Sequence, residues 1–359
     1  MITNLPTQES LNNVALRTYF RAWNNLIFIW IDFSRYFDYT GKMKDLHRIW
    51  PEEWREYLIE AQTDLQSICS LLQQSMELAL KARICAVSPY LLLLDTGMKL
   101  SATSKQIDFS ELRTLDAVEL PGAVNTLTDI PVSKDFIGKY TDLRSLRNKI
   151  MHLGEAGISL TPEGVLRQAV SLYLSMWPDR KWLSDRLKFA AQTRQAWLHD
   201  GKYTSTHMEV LQEWPINISF FTKGEFKKLF DHEKSKRRYL CHDCVDAGDT
   251  RYAELDKYEC GTAHLNLKGN AVSCIMCGTT FAVDRKKCPD CEGNVIGANG
   301  DDWVGRCHTC GNDTNEYAEP LLSAESSDVK ITNMFVQDDD PFTTGDQAEC
   351  LCSKPEFPS

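Results

Sequence analysis

The chain has 359 residues, 43% of them apolar, with 40 Lys and Arg against 50 Asp and Glu, enough for two domains or for one domain with appendages. Residues 241–359 hold 9 basic and 22 acidic residues, a balance of −13, which leaves residues 1–240 at +3 and directs any phosphate contact to the first part of the chain. The longest early apolar run, Leu26 to Ile31, is far short of a membrane span, and the first ten residues carry neither the basic stretch nor the apolar core of a secretory signal, so a soluble, cytoplasmic protein without a membrane partner is expected.

In chain order, Leu11 to Tyr39 is helical in pattern, with Tyr19, Phe20, Trp23, Leu26, Ile27, Trp30, Ile31 and Phe33 covering more than one stripe. Pro51 opens a short helix through Trp54 and Tyr57. Leu65 to Val87 is amphipathic, and Glu77 and Lys81 have the spacing and order of a helix-supporting ion pair. Ser88-Pro89 breaks that helix, and Ser101 to Pro131 reads mostly as loop, with a short helix at Phe109 to Leu115.

Tyr140 to Gly154 is a charged helix, capped by Ser133 or Asp135 and ended by Gly154. At about 100° per residue, Arg144, Asn148 and His152 form one i, i+4, i+8 row, whereas Arg147 lies about 140° from His152. Thr161-Pro162-Glu163 starts a helix to Trp177, and Trp182 to His199 is another, making at least five helices with no strand before Asn217. In the Glu213 to Tyr239 stretch, PINISFF reads as strand or linker and Gly224 to Arg238 as a mixed-charge helix tipped by Lys234, Lys236, Arg237 and Arg238.

The run RNKIMH, with Arg147, Asn148 and His152, resembles the R-x(4 to 6)-H motif of HEPN domains, all-α domains of which many are metal-independent RNases, and the earlier ELALKA segment with Glu77 and Lys81 resembles their second helix. The resemblance covers about Asn12 to His199. It implies a HEPN-like helical bundle and an endoribonuclease that uses no catalytic metal, in a toxin or antiviral-defence setting. Arg147, Asn148 and His152 would then be catalytic, with Arg144 and Lys149 contacting RNA. A homodimer would pair two motif helices, because one His cannot serve as base and acid together. A non-catalytic HEPN-like subunit that recruits partners remains the alternative.

Eleven of the thirteen cysteines follow position 240. Four Cys-x-x-Cys pairs, Cys241/Cys244, Cys274/Cys277, Cys288/Cys291 and Cys307/Cys310, have the spacing of zinc knuckles in a reducing compartment, and no βαβ pattern supports a redox reading. The fifteen residues between Cys291 and Cys307 suit one zinc ribbon, so 288, 291, 307 and 310 group together and 241, 244, 274 and 277 form the other site, giving two structural zinc ions. The rival grouping completes a site at Cys241 and Cys244 with Cys260 and His264. The expected layout is a helical domain over 1–212, a linker or helix over 213–240, a β-rich tandem zinc-ribbon region open to a protein partner over 241–319, and an acidic, extended tail over 320–359 in which Cys350 and Cys352 lack obvious partners.

Overall fold

The computed structural model describes residues 2–37, 46–93, 107–153, 159–193, 196, 205–250, 255, 257, 260–298 and 303–314, without the side chains of 150–153. The expectations for Gly154, for residues 197–199 and for the tail from 320 onward lie outside the described residues. The described chain is mainly helical with a small antiparallel sheet towards its C-terminal end.

A two-residue strand, β1 (Ile2–Thr3), leads into α1 (Gln8–Phe37), whose buried residues, from Ala15 through Phe33, span about half of the helix circumference. A helix this apolar needs neighbours on several sides. It packs most extensively on α4 (Gln62–Val87), after the short α2 (Leu46–Ile49) and α3 (Pro51–Glu60), the latter opened by Pro51. Ser75 of α4 donates to the Ala15 carbonyl at 2.7 Å, a buried polar tie between the two long helices. A 3₁₀ turn at Pro89–Leu93 follows the break at Ser88.

Strand β2 (Ile107–Asp108) pairs in parallel with β1, which corrects the expectation of no strand before Asn217. Pairing over two residues leaves no alternation for a sequence to display. The helix expected at Phe109 to Leu115 is a single 3₁₀ turn at Phe109–Glu111, and the true helix here is α5 (Leu120–Leu127), with Pro121 in its first turn. Helix α6 (Lys134–Leu153) then carries the motif, and Ser133 rather than Asp135 caps it, its Oγ accepting from the Phe136 N–H at 3.1 Å. Helix α7 (Pro162–Met176) begins at the Thr161 cap, whose hydroxyl accepts from Gly164 N–H. Helix α8 (Trp182–Ala190) stops well short of the expected His199.

The stretch read as strand or linker is instead the second half of α9 (Thr206–Phe220), in which Trp214 and Asn217 are fully buried. Pro215 argues against a helix interior because it takes away an N–H. The carbonyl it leaves without a helical donor is that of Leu211, and the buried Cys260 thiol reaches that oxygen at 3.5 Å. Asn217 accepts from the Trp23 indole N–H at 3.1 Å, tying α9 to the middle of α1. Helix α10 (Lys223–Phe230) is shorter than expected. Thr222 and Glu225 close a capping box at its start, and Asp231 ends it at φ 57°.

Helix α11 (His242–Gly248) packs on α9, and the chain finishes in a sequential antiparallel sheet of β3 (Ala263–Leu265), β4 (Ala271–Cys274), β5 (Thr280–Asp284) and β6 (Ile296–Gly297). One hydrophobic core runs from α1 through α9 to Cys241, Cys244, Cys274 and Phe281, with a small satellite of Cys288, Ile296 and Cys307. The Trp214 indole N–H donates to the Gly261 carbonyl at 2.9 Å and stitches the helices to the sheet region. No helix among the described residues is long and apolar enough to cross a membrane.

Candidate functional site

The eight knuckle cysteines gather into two groups, Cys241, Cys244, Cys274 and Cys277, and Cys288, Cys291, Cys307 and Cys310, with all sulfurs of a group within 4.8 Å of one another. Across the first group, Cys241 and Cys277 lie 3.6 Å apart and Cys244 and Cys274 3.8 Å. In the second, Cys288 to Cys310 and Cys291 to Cys307 are both 3.8 Å. A tetrahedral zinc with Zn–S of about 2.3 Å puts its sulfurs about 3.8 Å apart, whereas a disulfide needs about 2.05 Å. Both groups therefore fit a four-thiolate metal ion.

The local backbone supports three of the four knuckles, and the fourth pair, Cys241 and Cys244, lies at the start of α11. Met276 and Thr279 N–H groups point at the sulfurs of Cys274 and Cys277 at 3.3 and 3.4 Å, and Gly293 and Thr309 do the same for Cys291 and Cys307 at 3.3 and 3.4 Å. These donors favour thiolate over thiol, which a metal ligand requires. In the first group, hydrogen bonds from Cys241, Cys244 and Cys274 hold the Cys277 thiol far below its ordinary range. By contrast, burial alone pushes the Cys69 thiol up to about 12 and leaves it inert. Gly278 at φ 87° and Gly311 at φ 85° follow the second cysteine of their pairs and turn the chain there in a conformation that strains any residue with a Cβ.

The rival ligands are elsewhere. Cys260 faces the Leu211 carbonyl, and His264 stacks on His232, with ring centroids 3.9 Å apart and planes 8° from parallel. Two histidines that the cysteine reading passed over are buried beside the ligands: His242 follows Cys241 and His308 follows Cys307, and their rings lie 4.3 Å apart with His242 stacked on Trp303. Burial, then the neighbouring His308 and Arg306, push His242 down to about 2, so it packs as a neutral ring. The repeated Cys-His-x-Cys, CHDC at 241–244 and CHTC at 307–310, was the available signal.

Helix α6 presents the other predicted residues. Phe136, Tyr140 and Leu143 form its buried face. Arg144 is half-buried, and Arg147, Asn148 and Lys149 are exposed. His152 lies in the last turn of the helix, and its side chain is outside the described residues. Arg147 is seven residues beyond Tyr140, almost the same azimuth, so it continues the core-facing row past the end of the core. Tyr140 donates to the Ala117 carbonyl at 2.9 Å. Burial and then the Glu77 carboxylate raise its phenol, while Gln73 and the charges of Arg144 and Arg147 oppose them. Glu77 on α4 and the two arginines on α6 thus act on one buried ring. Glu77 itself binds Lys81 at 2.9 Å, as expected from its spacing, and accepts from Gln73 at 3.2 Å. Comparison of the chain with protein-family profiles, curated proteins and solved structures finds no match.

Proposed function

We propose that the protein is a HEPN-like, metal-independent endoribonuclease whose two cysteine groups hold structural zinc. The observation that carries this reading is the juxtaposition on α4 and α6. The Glu77–Lys81 pair lies on the helix packed against the one bearing Arg144, Arg147, Asn148 and His152, and Glu77, Arg144 and Arg147 share electrostatic reach of Tyr140. Arg147, Asn148 and Lys149 are exposed, so their side chains are available to a substrate.

In the proposed reaction, a base removes the ribose 2′-OH proton, O2′ attacks the adjacent phosphorus, and the P–O5′ bond breaks as O5′ takes a proton. The products are a 2′,3′-cyclic phosphate and a 5′-OH. Histidine as a residue type can take up or give a proton near neutral pH, which suits His152 to one of the two proton transfers. Arg147 stabilises the charge that builds on the phosphoryl oxygens, and Arg144 and Lys149 hold the flanking phosphates. Asn148, one turn before His152 on the same row, orients the imidazole or the substrate. A two-fold dimer that brings two α6 ends together supplies the second His. The metal ions do no chemistry: four thiolates close a zinc's coordination sphere and leave no open position.

Expression of the wild type, Arg147→Ala and His152→Ala, with growth and RNA integrity followed together, tests the reading. RNA fragments with cyclic phosphate ends are expected from the wild type alone. Intact RNA in all three, with folded protein recovered, favours a partner-recruiting subunit instead.

A further inference from the structure

A cleft of about 430 Å³ opens between the 234–240 segment after α10 and the Cys307–Cys310 knuckle, and among the described residues its walls carry five cations and no carboxylate. The cations are Lys234, Lys236, Arg237, Arg238 and Lys257. Four of them come from the 234–238 run, and the fold adds Lys257 from the otherwise acidic 241–359 part of the chain. Holding like charges together costs free energy through mutual repulsion, which a bound anion relieves.

The positive field is visible in the neighbours. Burial, followed by the charges of Arg167 and Arg238, pushes the Lys234 ammonium below its usual range. His264 is driven down to about 3 by burial, by His232 and then by Arg238 and Lys236. Part of the set is structural: Lys234 donates to the Phe221 carbonyl at 2.6 Å and closes the end of α9. Arg237 reaches the Thr309 hydroxyl at 3.2 Å, so one wall of the cleft is the metal knuckle itself. Lys236 and Arg237 are exposed, and with Lys257 they make no ion pair among the described residues.

We infer that this cleft binds phosphate groups of an RNA strand. The guanidinium fork and the two lysines suit phosphate oxygens. Tyr239, the aromatic ring beside Arg237, is buried, so the cleft offers backbone contacts without a face for base stacking. It would position RNA irrespective of sequence. The inference takes RNA from the function proposed above but none of its chemistry, and it is tested by binding rather than cleavage. A free nucleotide or polyphosphate presents the same groups and is the second source to separate.

The test uses the full chain, zinc-loaded and carrying His152→Ala so that no RNA is cut, with a fluorescent single-stranded oligouridylate and with inorganic tripolyphosphate as probes. Lys236→Gln with Arg237→Gln removes two cleft cations. Lys286→Gln with Lys287→Gln removes two exposed cations elsewhere and serves as the control for net charge. Loss of two single-strand phosphate contacts should weaken RNA binding about 10-fold at about 0.15 M salt and flatten the log–log salt slope by about 1.4. Metal content and thermal midpoint should stay as in the parent. The control pair should bind RNA as the parent does. Tripolyphosphate binding lost in the cleft variant, with RNA binding unchanged, would move the assignment from RNA to a free polyphosphate and overturn the RNA claim. Equal RNA binding by parent and cleft variant with neither probe affected, or equal weakening by the control pair, would overturn the site altogether. If wild type cuts no RNA while the cleft variant still loses RNA binding, the nuclease reading fails and the cleft stands.

Discussion

Removing one cysteine from each metal group should have unequal consequences, because the two groups are built into different cores. Cys241, Cys244 and Cys274 are at most 4% exposed and belong to the main core, beside α11 and α9. The second group sits in a satellite core in which, among the described residues, Ile296 is the only member besides its own four cysteines. A structural zinc contributes about 10–16 kcal/mol of apparent binding free energy, as large as the ~5–15 kcal/mol that holds a typical domain folded. Cys274→Ser weakens that bond and leaves the buried Cys241 and Cys244 and the exposed Cys277 without their fourth partner, so even partial loss should cost at least about 3 kcal/mol. At about 2.1 cal/mol/K of unfolding entropy per residue, that lowers the helical melting midpoint of a chain of this size by about 4 °C. Cys288→Ser should also cost one zinc of two, yet leave the helical transition within about 2 °C, with new hydrogen exchange confined to 285–314. Metal analysis, circular dichroism at 222 nm and exchange mass spectrometry read the three quantities. Equal drops in the helical midpoint for the two variants would refute the unequal coupling, and an unchanged zinc content in either would refute the ligand grouping.

Cys260→Ser should keep both zinc ions, because the hydroxyl can still donate to the Leu211 carbonyl freed by Pro215; a zinc lost on that substitution would revive the rival set. Asn217→Ala should cost about 1–3 kcal/mol in urea titration by leaving the buried Trp23 N–H unpaired. His264 has a folded pKa near 3, below its unfolded value near 6.5, so the unfolded chain takes up the proton first as pH falls. Its contribution is intact above about pH 6.5 and is lost through the window down to about 3, at ~1.4 kcal/mol per pH unit. His264→Phe should therefore spare about 2 kcal/mol between pH 6.5 and 5, and parallel pH–stability profiles for the two proteins would contradict that. Gly297→Ala should abolish the second ribbon, since a Cβ there would lie 1.9 Å from the Trp303 carbonyl oxygen; retained zinc stoichiometry would be the opposing result.

The signals that reached the structure intact were those set by neighbours in sequence. Pro51, Ser133 and Thr161 start their helices through local hydrogen bonds or a fixed φ, and the Cys-x-x-Cys spacing alone brings two sulfurs to one metal. The α9 segment was not legible because tertiary partners override Pro215: Cys260, distant in sequence, satisfies the Leu211 carbonyl, and Trp23 holds Asn217. The Thr222 and Glu225 capping box was readable but was passed over in favour of the charge run. Likewise, the 234–238 charge run is plain in the sequence, but Lys257 looks unrelated to it until the fold draws them around one cleft. On α6 the sequence shows the row and its spacing, but nothing in it reveals that the charges of Glu77 and Arg147 both bear on the buried Tyr140 phenol.

The most direct test of RNA cleavage by α6 is a single comparison of purified wild type and His152→Ala on end-labelled RNA, with EDTA added briefly to the folded proteins. Cleavage by the wild type, undiminished by EDTA and absent from His152→Ala, is the predicted result. Equal cutting by the two proteins would contradict it.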